Sequence, residues 1–227
     1  IYTIPNFQNP SGASLSYARR RQLLALADRY NVPVLEDDFA GDLRYEGRAQ
    51  PAIKALDPGG RVIYTGTFSK MLMPGLRVGY LLADGPIFDR LVRQKRVLDL
   101  TTSPLMQRAL DRYVTVGRYQ AHLRRSARVY RRRRDAMLAA VKRWLPEATF
   151  FPPQGGLFLW LRLPEGVSAT GLAAAARAEG VEFAPGTRFF PEPDEGEGFI
   201  RLNFAAVNEE EIEEGVRRLG RAVSDLP

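Results

Sequence analysis

Four residues stand in settings where their chemistry can matter: Lys70, Asp37, Asn9 and Arg201. Lys70 lies in Thr67-Phe68-Ser69-Lys70-Met71-Leu72-Met73-Pro74-Gly75-Leu76-Arg77, directly after an apolar run. An amine at the end of a buried strand is expected to be desolvated, which lowers its pKa and makes it a better nucleophile. Thr67 and Ser69 can hydrogen-bond a phosphate, and Arg77 can pair with one. A plain loop lysine beside a turn is the simpler reading of the same residues. Asp37 closes the apolar run before Glu36-Asp37-Asp38-Phe39, and a carboxylate there needs a cation. A protonated heterocycle nitrogen, Arg77 or Lys70 would serve, as would a purely structural ion pair or helix cap. Glu36 and Asp38 alternate to the other side of the strand, which sets Asp37 apart. Asn9, in Gln8-Asn9-Pro10-Ser11-Gly12, places an amide at a rigid turn, where it can donate to a phenolic oxygen or simply make an Asx-Pro turn. Arg201, in Phe199-Ile200-Arg201-Leu202-Asn203-Phe204, points away from the face shared by Ile200, Leu202 and Phe204. Its fork geometry suits a ligand carboxylate, an internal salt bridge being the alternative.

The elements that must position these residues follow from pattern. Residues 1–4, 32–37, 62–65 and 76–82 are short apolar runs that read as strands. A helix with Leu23, Leu24, Ala27 and Tyr30 at helical spacing lies between the first two, and residues 87–100 form another with Leu91 and Val92 inward. This order predicts a largely parallel sheet covered by helices, with ligands outside the carboxyl ends of the strands. The middle of the chain is helical, with an apolar stripe of Leu123, Ala127, Tyr130, Met137, Leu138 and Val141. Arg124, Arg125, Arg128 and most of residues 131–134 fall off that stripe and are expected on a solvated basic face. From Thr149 the periodicity changes to strand alternation over Leu157, Leu159, Leu161 and Leu163. Ser168 caps a helix ending at Gly180, residues 181–184 and 199–205 read as strands, and Asn208 with Glu211 forms a capping box for a final helix. The acidic stretch 191–198 reads as a surface loop.

Composition narrows the classes. The chain has 227 residues, 45% of them hydrophobic and 26% charged, which is the balance of a folded globular protein and not of a disordered one. Its apolar runs, such as 23–27 and 157–161, are too short to span a bilayer. Cysteine is absent and His122 is the single histidine, so a disulfide framework, a Cys nucleophile, a multi-His metal site and a Ser–His–Asp triad are set aside. Lysines number only 4 against 29 arginines (33 − 4), so a lysine in a special setting stands out. The chain begins at Ile1 inside a strand pattern, as a piece of a longer protein would.

Taken together and in this order, the four segments resemble the pyridoxal 5′-phosphate (PLP) aminotransferases of fold type I, class I/II. Pro5-x-x-Gln8-Asn9-Pro10-Ser11-Gly12 resembles the family turn P-x-x-Q-N-P-[TS]-G, and Glu36-Asp37-Asp38 the strand end that meets the pyridine nitrogen. Thr67-Phe68-Ser69-Lys70 followed by Pro74-Gly75-Leu76-Arg77-Val78-Gly79-Tyr80 is similar to the Schiff-base lysine segment. Arg201-Leu202-Asn203-Phe204-Ala205 resembles the strand that grips a substrate carboxylate. The resemblance implies Lys70 as the catalytic residue. It implies Asn9, Asp37, Thr67, Ser69, Lys70 and Arg77 as cofactor ligands and Arg201 as the substrate ligand, with no metal. The implied fold is an α/β large domain, of which residues 1–110 are the C-terminal part, a connecting helix over 111–146, and a small α+β domain over 147–227.

Two subfamilies fit. Asp37-Asp38-Phe39-Ala40-Gly41-Asp42-Leu43-Arg44-Tyr45-Glu46-Gly47 and His122-Leu123-Arg124-Arg125 look closer to the aminotransferase-like domain of MocR-type GntR regulators. Gln8-Asn9-Pro10 and Pro185-Gly186-Thr187-Arg188-Phe189-Phe190 suit free-standing aminotransferases of the α-aminoadipate and kynurenine type at least as well. The MocR-like reading is preferred, and a scaffold without cofactor is the third. Each of the first two implies exchange of amino groups between an amino acid and a 2-oxo acid, a cytoplasmic homodimer at full length, and no membrane. DNA would be met only through an upstream domain outside this chain. One departure is informative: Phe39 and Ala40 stand where the family has a tyrosine, which implies a less stabilised cofactor oxygen and slower transamination.

Overall fold

Val34–Asp37 (β2) and Val62–Thr67 (β3) pair in parallel, and Tyr2–Thr3 (β1) adds to β2 in the same sense, so β2 and β3 end at one edge of the sheet. Gly79–Leu82 (β4) closes the order β1-β2-β3-β4 antiparallel to β3. The computed structural model describes residues 1–226, and they fall into two units, Ile1–Gln8 with Ala13–Ser126, and Asn9–Gly12 with everything from Ala127 onward. The strand expected over 76–82 is shorter than its apolar pattern. Pro74–Leu76 makes a tight turn and Arg77 takes a left-handed φ of 50°, so extended backbone resumes only after it.

Tyr17–Arg29 (α1) starts where the Ser16 hydroxyl accepts from the Arg19 amide (3.3 Å), satisfying one of the donors a helix start leaves unpaired. Its Ala27 is buried with Val34, Ile53 and Val62, and Leu23 and Leu24 pack against that cluster. Tyr30, expected on the same face, caps the helix and is 65% exposed.

Two charged side chains lie inside this unit. Arg20 has no exposed surface; its guanidinium donates to the carbonyls of Leu15 (3.0 Å), Pro51 (3.1 Å) and Pro5 (2.9 Å) and to the Asn6 Oδ1 (2.6 Å). Glu36 is equally buried, and its two oxygens accept from the amides of Ile53 (2.9 Å) and Lys54 (2.8 Å). Charges out of water persist only when so paired. The alternation that sets Asp37 apart is therefore real, but the residue on the inner face is Glu36.

Pro86–Asp99 (α2) contains no buried residue, with Leu91 and Val92 half-buried. Pro104–Thr115 (α3) follows, then the 27-residue helix Arg118–Trp144 (α4). Leu123, Met137 and Val141 of the apolar stripe on α4 are buried. Arg134 departs from the expected basic face. It is buried, because Nη1 reaches the Pro153 carbonyl (2.9 Å) and Nε and Nη2 reach Asp135. No helix among the described residues is long and apolar enough to cross a membrane.

The second unit carries a sheet in the order β5-β6-β8-β7, from Thr149–Phe150 (β5), Phe158–Arg162 (β6), Ala184–Pro185 (β7) and Phe199–Asn203 (β8). Strand alternation splits its two faces. Leu159, Leu161, Ile200 and Leu202 are buried, as are Leu172 of Ala169–Ala178 (α5) and Ile212, Val216 and Leu219 of Glu209–Ser224 (α6). Both expected helix starts are present: Ser168 accepts from Gly171 (3.0 Å), and Asn208 and Glu211 form a reciprocal capping box (2.9 Å each way). The strand expected over 181–184 begins only at Ala184 and runs to Pro185, the two residues that pair with β8.

Burial raises the Glu36 pKa above its usual 4.5, the two amide hydrogen bonds opposing that rise. A raised folded-state value means stability is lost as pH climbs from the ordinary carboxyl range through the raised one. Chemical denaturation across that range should show this fall in the unaltered protein and its absence in Glu36→Gln. Glu36→Ala, which strands two amides, should cost about 3 kcal/mol at neutral pH.

Candidate active site

The loop that carries Lys70 leaves β3 at Thr67 and is drawn back at once: the Phe68 amide donates to the Val78 carbonyl (3.1 Å), and the amides of Leu72 and Met73 donate to the Phe68 carbonyl (2.9 and 3.2 Å). Just before the loop, Gly66 of β3 leaves room for the ring of its cross-strand partner Tyr80, which a Cβ there would strike. Within the loop the Thr67 Oγ1 accepts from the Ser69 amide (3.1 Å), and the Arg77 Nη1 reaches the Ser69 Oγ (3.5 Å) and the Pro74 carbonyl (3.4 Å). Two hydroxyls and a guanidinium are thus gathered at one turn, a donor set matched to a phosphate dianion. Lys70 itself is exposed, and among the described residues its amine has no hydrogen-bond or ion-pair partner. This corrects the expectation of a desolvated lysine: Lys70 lies in the turn that follows β3, outside the sheet, where its side chain is exposed.

Asp37 ends β2, beside the strand that leads to Lys70. Its partner is neither Lys70 nor Arg77 but Tyr2, whose hydroxyl donates to Oδ2 (2.7 Å) from the neighbouring strand β1. Asp38 accepts from Asn6 Nδ2 (2.9 Å) and from the Tyr64 hydroxyl (2.8 Å), and Asn6 in turn is held by Arg20. Phe39 and Ala40 bring no hydroxyl; those that meet the acidic pair come from Tyr2 and Tyr64. Desolvation and the adjacent carboxylate push Tyr64 well above the usual phenol value.

Asn9 and Arg201 belong to the second unit and meet there: the Arg201 Nη1 donates to the Asn9 Oδ1 (2.6 Å). That bond settles which end of the amide is the donor. The turn that presents Asn9 contains Gly12 at φ +68°, where a Cβ would press on Pro153 at 3.2 Å. Arg201 lies on the face of the sheet opposite the leucines. Its guanidinium carbon is 4.1 Å from the centre of the Phe158 ring and 5.0 Å from that of Phe189. Trp160 stands edge-on to Phe189 (5.6 Å) and stacks on Phe199 (5.3 Å). No carboxylate among the described residues pairs with Arg201, and its Nε is buried without a hydrogen-bond partner. A cleft of about 480 Å³ beside it is lined by Arg188, Arg201, Asn203 and Glu211 with apolar residues of α6. A guanidinium clamped between rings, with donor capacity left over, is set up for a planar anion.

Nothing in the sequence alone marks Tyr2, Tyr64 or Phe158. Tyr2 and Tyr64 read as ordinary strand residues, and only the register of β1, β2 and β3 brings their hydroxyls to the acidic pair. Phe158 falls between Leu157 and Leu159 in the strand alternation, a position that does not say what its face of the sheet holds.

Residues 3–219 match the family Aminotransferase class I and II. Over 226 residues the chain is 41% identical to aromatic-amino-acid aminotransferase 1 of Thermococcus litoralis, covering 99% of this chain and 54% of that protein. Over 224 residues it is 37% identical to the HTH-type transcriptional regulator TauR of Rhodobacter capsulatus, covering 98% and 46%. The crystal structure of Pyrococcus horikoshii kynurenine aminotransferase superposes with a TM-score of 0.94 at 41% identity, covering 99% of this chain and 55% of that one. The chain spans about half the length of the curated relatives it matches.

Burial first, then the hydrogen bond to Asp37 and its charge, raise the Tyr2 phenol from 10.0 to about 12. In Asp37→Asn the charge is gone and burial remains, so the Tyr2 resonance in a tyrosine-labelled NMR titration should ionise at lower pH, yet still above the usual value.

Proposed function

Because this chain belongs to the aminotransferase class I and II family, we propose that it forms the PLP-holding part of an enzyme that exchanges amino groups between an amino acid and a 2-oxo acid. The observation that carries the reading is the gathering of Thr67, Ser69 and Arg77 at the turn that presents Lys70, at the same sheet edge where Asp37 ends the adjacent parallel strand. The residues present fit the cofactor. The hydroxyls and guanidinium suit its phosphate, Asp37 its ring nitrogen, and the Asn9 amide its ring oxygen. Arg201, with a buried Nε that no protein group satisfies, suits the substrate carboxylate.

When bound, PLP supplies an aldehyde that condenses with amines and a ring that accepts the electron pair of a deprotonated carbon. The protein's share is positional and protonic. Thr67, Ser69 and Arg77 anchor the phosphate. Asp37, steadied by Tyr2, keeps a proton on the ring nitrogen. Arg201, with the Phe158 and Phe189 rings against its guanidinium, would orient the substrate by its carboxylate, which converts an encounter into an aligned reaction. With the cofactor bound, the Lys70 amine would take the proton from the substrate's α-carbon and deliver it to the cofactor's former aldehyde carbon. The division into a large-domain portion (1–110), a connecting helix (111–146) and a small domain (147–227) belongs to the same proposal, as does a cytoplasmic homodimer.

A second reading is supported by the 37% identity to TauR: the same site as the sensing domain of a MocR-type regulator, in which one exchange suffices and full turnover is unnecessary. A helix-turn-helix upstream in the complete reading frame selects it.

Borohydride reduction of the full-length protein with PLP should fix the cofactor to Lys70, read by peptide mass spectrometry, and Lys70→Ala should show no adduct. An unmodified Lys70 in the reduced protein would overturn the reading and leave the scaffold without cofactor. Arg201→Lys keeps the charge but loses the fork, so KM for the amino acid should rise about tenfold or more with kcat changed less.

A further inference from the structure

His122 is the single histidine of the chain and has no part in the function proposed above. It sits one turn inside α4, and its Nε2 lies 2.9 Å from the carbonyl oxygen of Met71, the residue after Lys70. A carbonyl can only accept, so Nε2 carries the proton. Arg125, which can only donate, lies 3.4 Å from Nδ1, and the Ser126 hydroxyl is 3.2 Å from Nε2. Both neighbours are on the same helix; Arg125 makes Nδ1 the acceptor and so favours the tautomer that donates to Met71, while the Ser126 hydroxyl, which can donate or accept, is compatible with it.

One turn earlier on the same helix face, Tyr119 makes two further contacts. Its hydroxyl donates to Asp42 Oδ2 (3.1 Å), and its ring meets Phe68 edge-on at 5.5 Å. Phe68 also packs on Tyr80 at 5.6 Å. The Met71 side chain is buried while Lys70 beside it is exposed. The loop is thus gripped on both sides of Lys70, by Tyr119 at Phe68 and by His122 at the Met71 carbonyl. Lys70 is left to project from a backbone that has little freedom.

We propose that His122, aided by Tyr119, is a positioning residue that fixes the backbone of the Lys70 loop. This rests on the reading of Lys70 as the reactive amine. Such a group acts through the lysine and touches no reactant. Its loss should therefore leave substrate binding in place while slowing steps that need the amine in one orientation.

The test uses the full-length protein with His122→Leu, His122→Gln and His122→Asn. In ligand-free protein, hydrogen exchange of the Leu72 and Met73 amides, which bond back to Phe68, should rise about five- to tenfold in His122→Leu, while Ile200 and Leu202 of β8 stay unchanged. Glutamine can reach the Met71 carbonyl and should restore protection; asparagine is too short and should not. With PLP present, kcat should fall in the leucine and asparagine variants by a similar factor, KM staying within about twofold, and recover with glutamine. Exchange at Leu72 and Met73 within about twofold of the unaltered protein in a folded His122→Leu would overturn the proposal. If that variant does not fold, equal protection in the asparagine and glutamine variants would do the same. Absence of a Lys70 adduct in the unaltered protein would instead remove the premise, with the exchange data still reporting whether the loop is held.

Discussion

A guanidinium with no access to water must find every partner within the fold, and in the first unit that demand organises the candidate site. Arg20 satisfies it with the carbonyls of Leu15, Pro51 and Pro5 and with Asn6. Asn6 then donates to Asp38, which also receives Tyr64 from β3. The same arginine therefore fixes the segment before the Asn9 turn and the end of β2, where Asp37 emerges. Glu36, on the inner side of that strand end, does the equivalent for the turn at Ile53 and Lys54. A change to either charged group would leave several buried polar atoms unmatched at once, which is why such networks specify one arrangement and tolerate few others.

The two units use different physics to present the candidate side chains. In the first, parallel strands deliver Asp37 and the Lys70 loop to one sheet edge, and hydrogen bonds within the loop collect Thr67, Ser69 and Arg77. In the second, an antiparallel sheet has one leucine-rich face for its core and one aromatic face, and Arg201 rests on the latter between Phe158 and Phe189. The rings confine the guanidinium without neutralising it. That is the condition for an anion site: an internal carboxylate in the same position would have filled it.

The first turns of α4 hold the loop. Tyr119 and His122 are three residues apart, so they face the same way and meet Phe68 and Met71 together. Its arginines are not uniform. Arg132 pairs with Glu209 on the surface (3.1 Å), whereas Arg134, two residues on, is buried against Pro153. A run of four arginines on a helix necessarily points in several directions, and composition could not say which one turned inward.

What the sequence determined by itself is local in origin. Ser168, Asn208 and Glu211 mark helix starts because their side chains reach amides three residues away, and the alternation around Leu159 and Leu161 marks a strand because its period is set by the backbone. The order of the Asn9, Asp37, Lys70 and Arg201 segments pointed to the family for the same reason, since each motif is contiguous. Tertiary structure alone decided who meets whom. Tyr2 reaches Asp37 across 35 residues and Arg201 reaches Asn9 across 192, and neither pairing exists until strands are ordered and in register. It also decided that Glu36 is inside and Lys70 outside. Burial is a property of what packs around a residue, and a short stretch of chain carries no information about the surface it will meet.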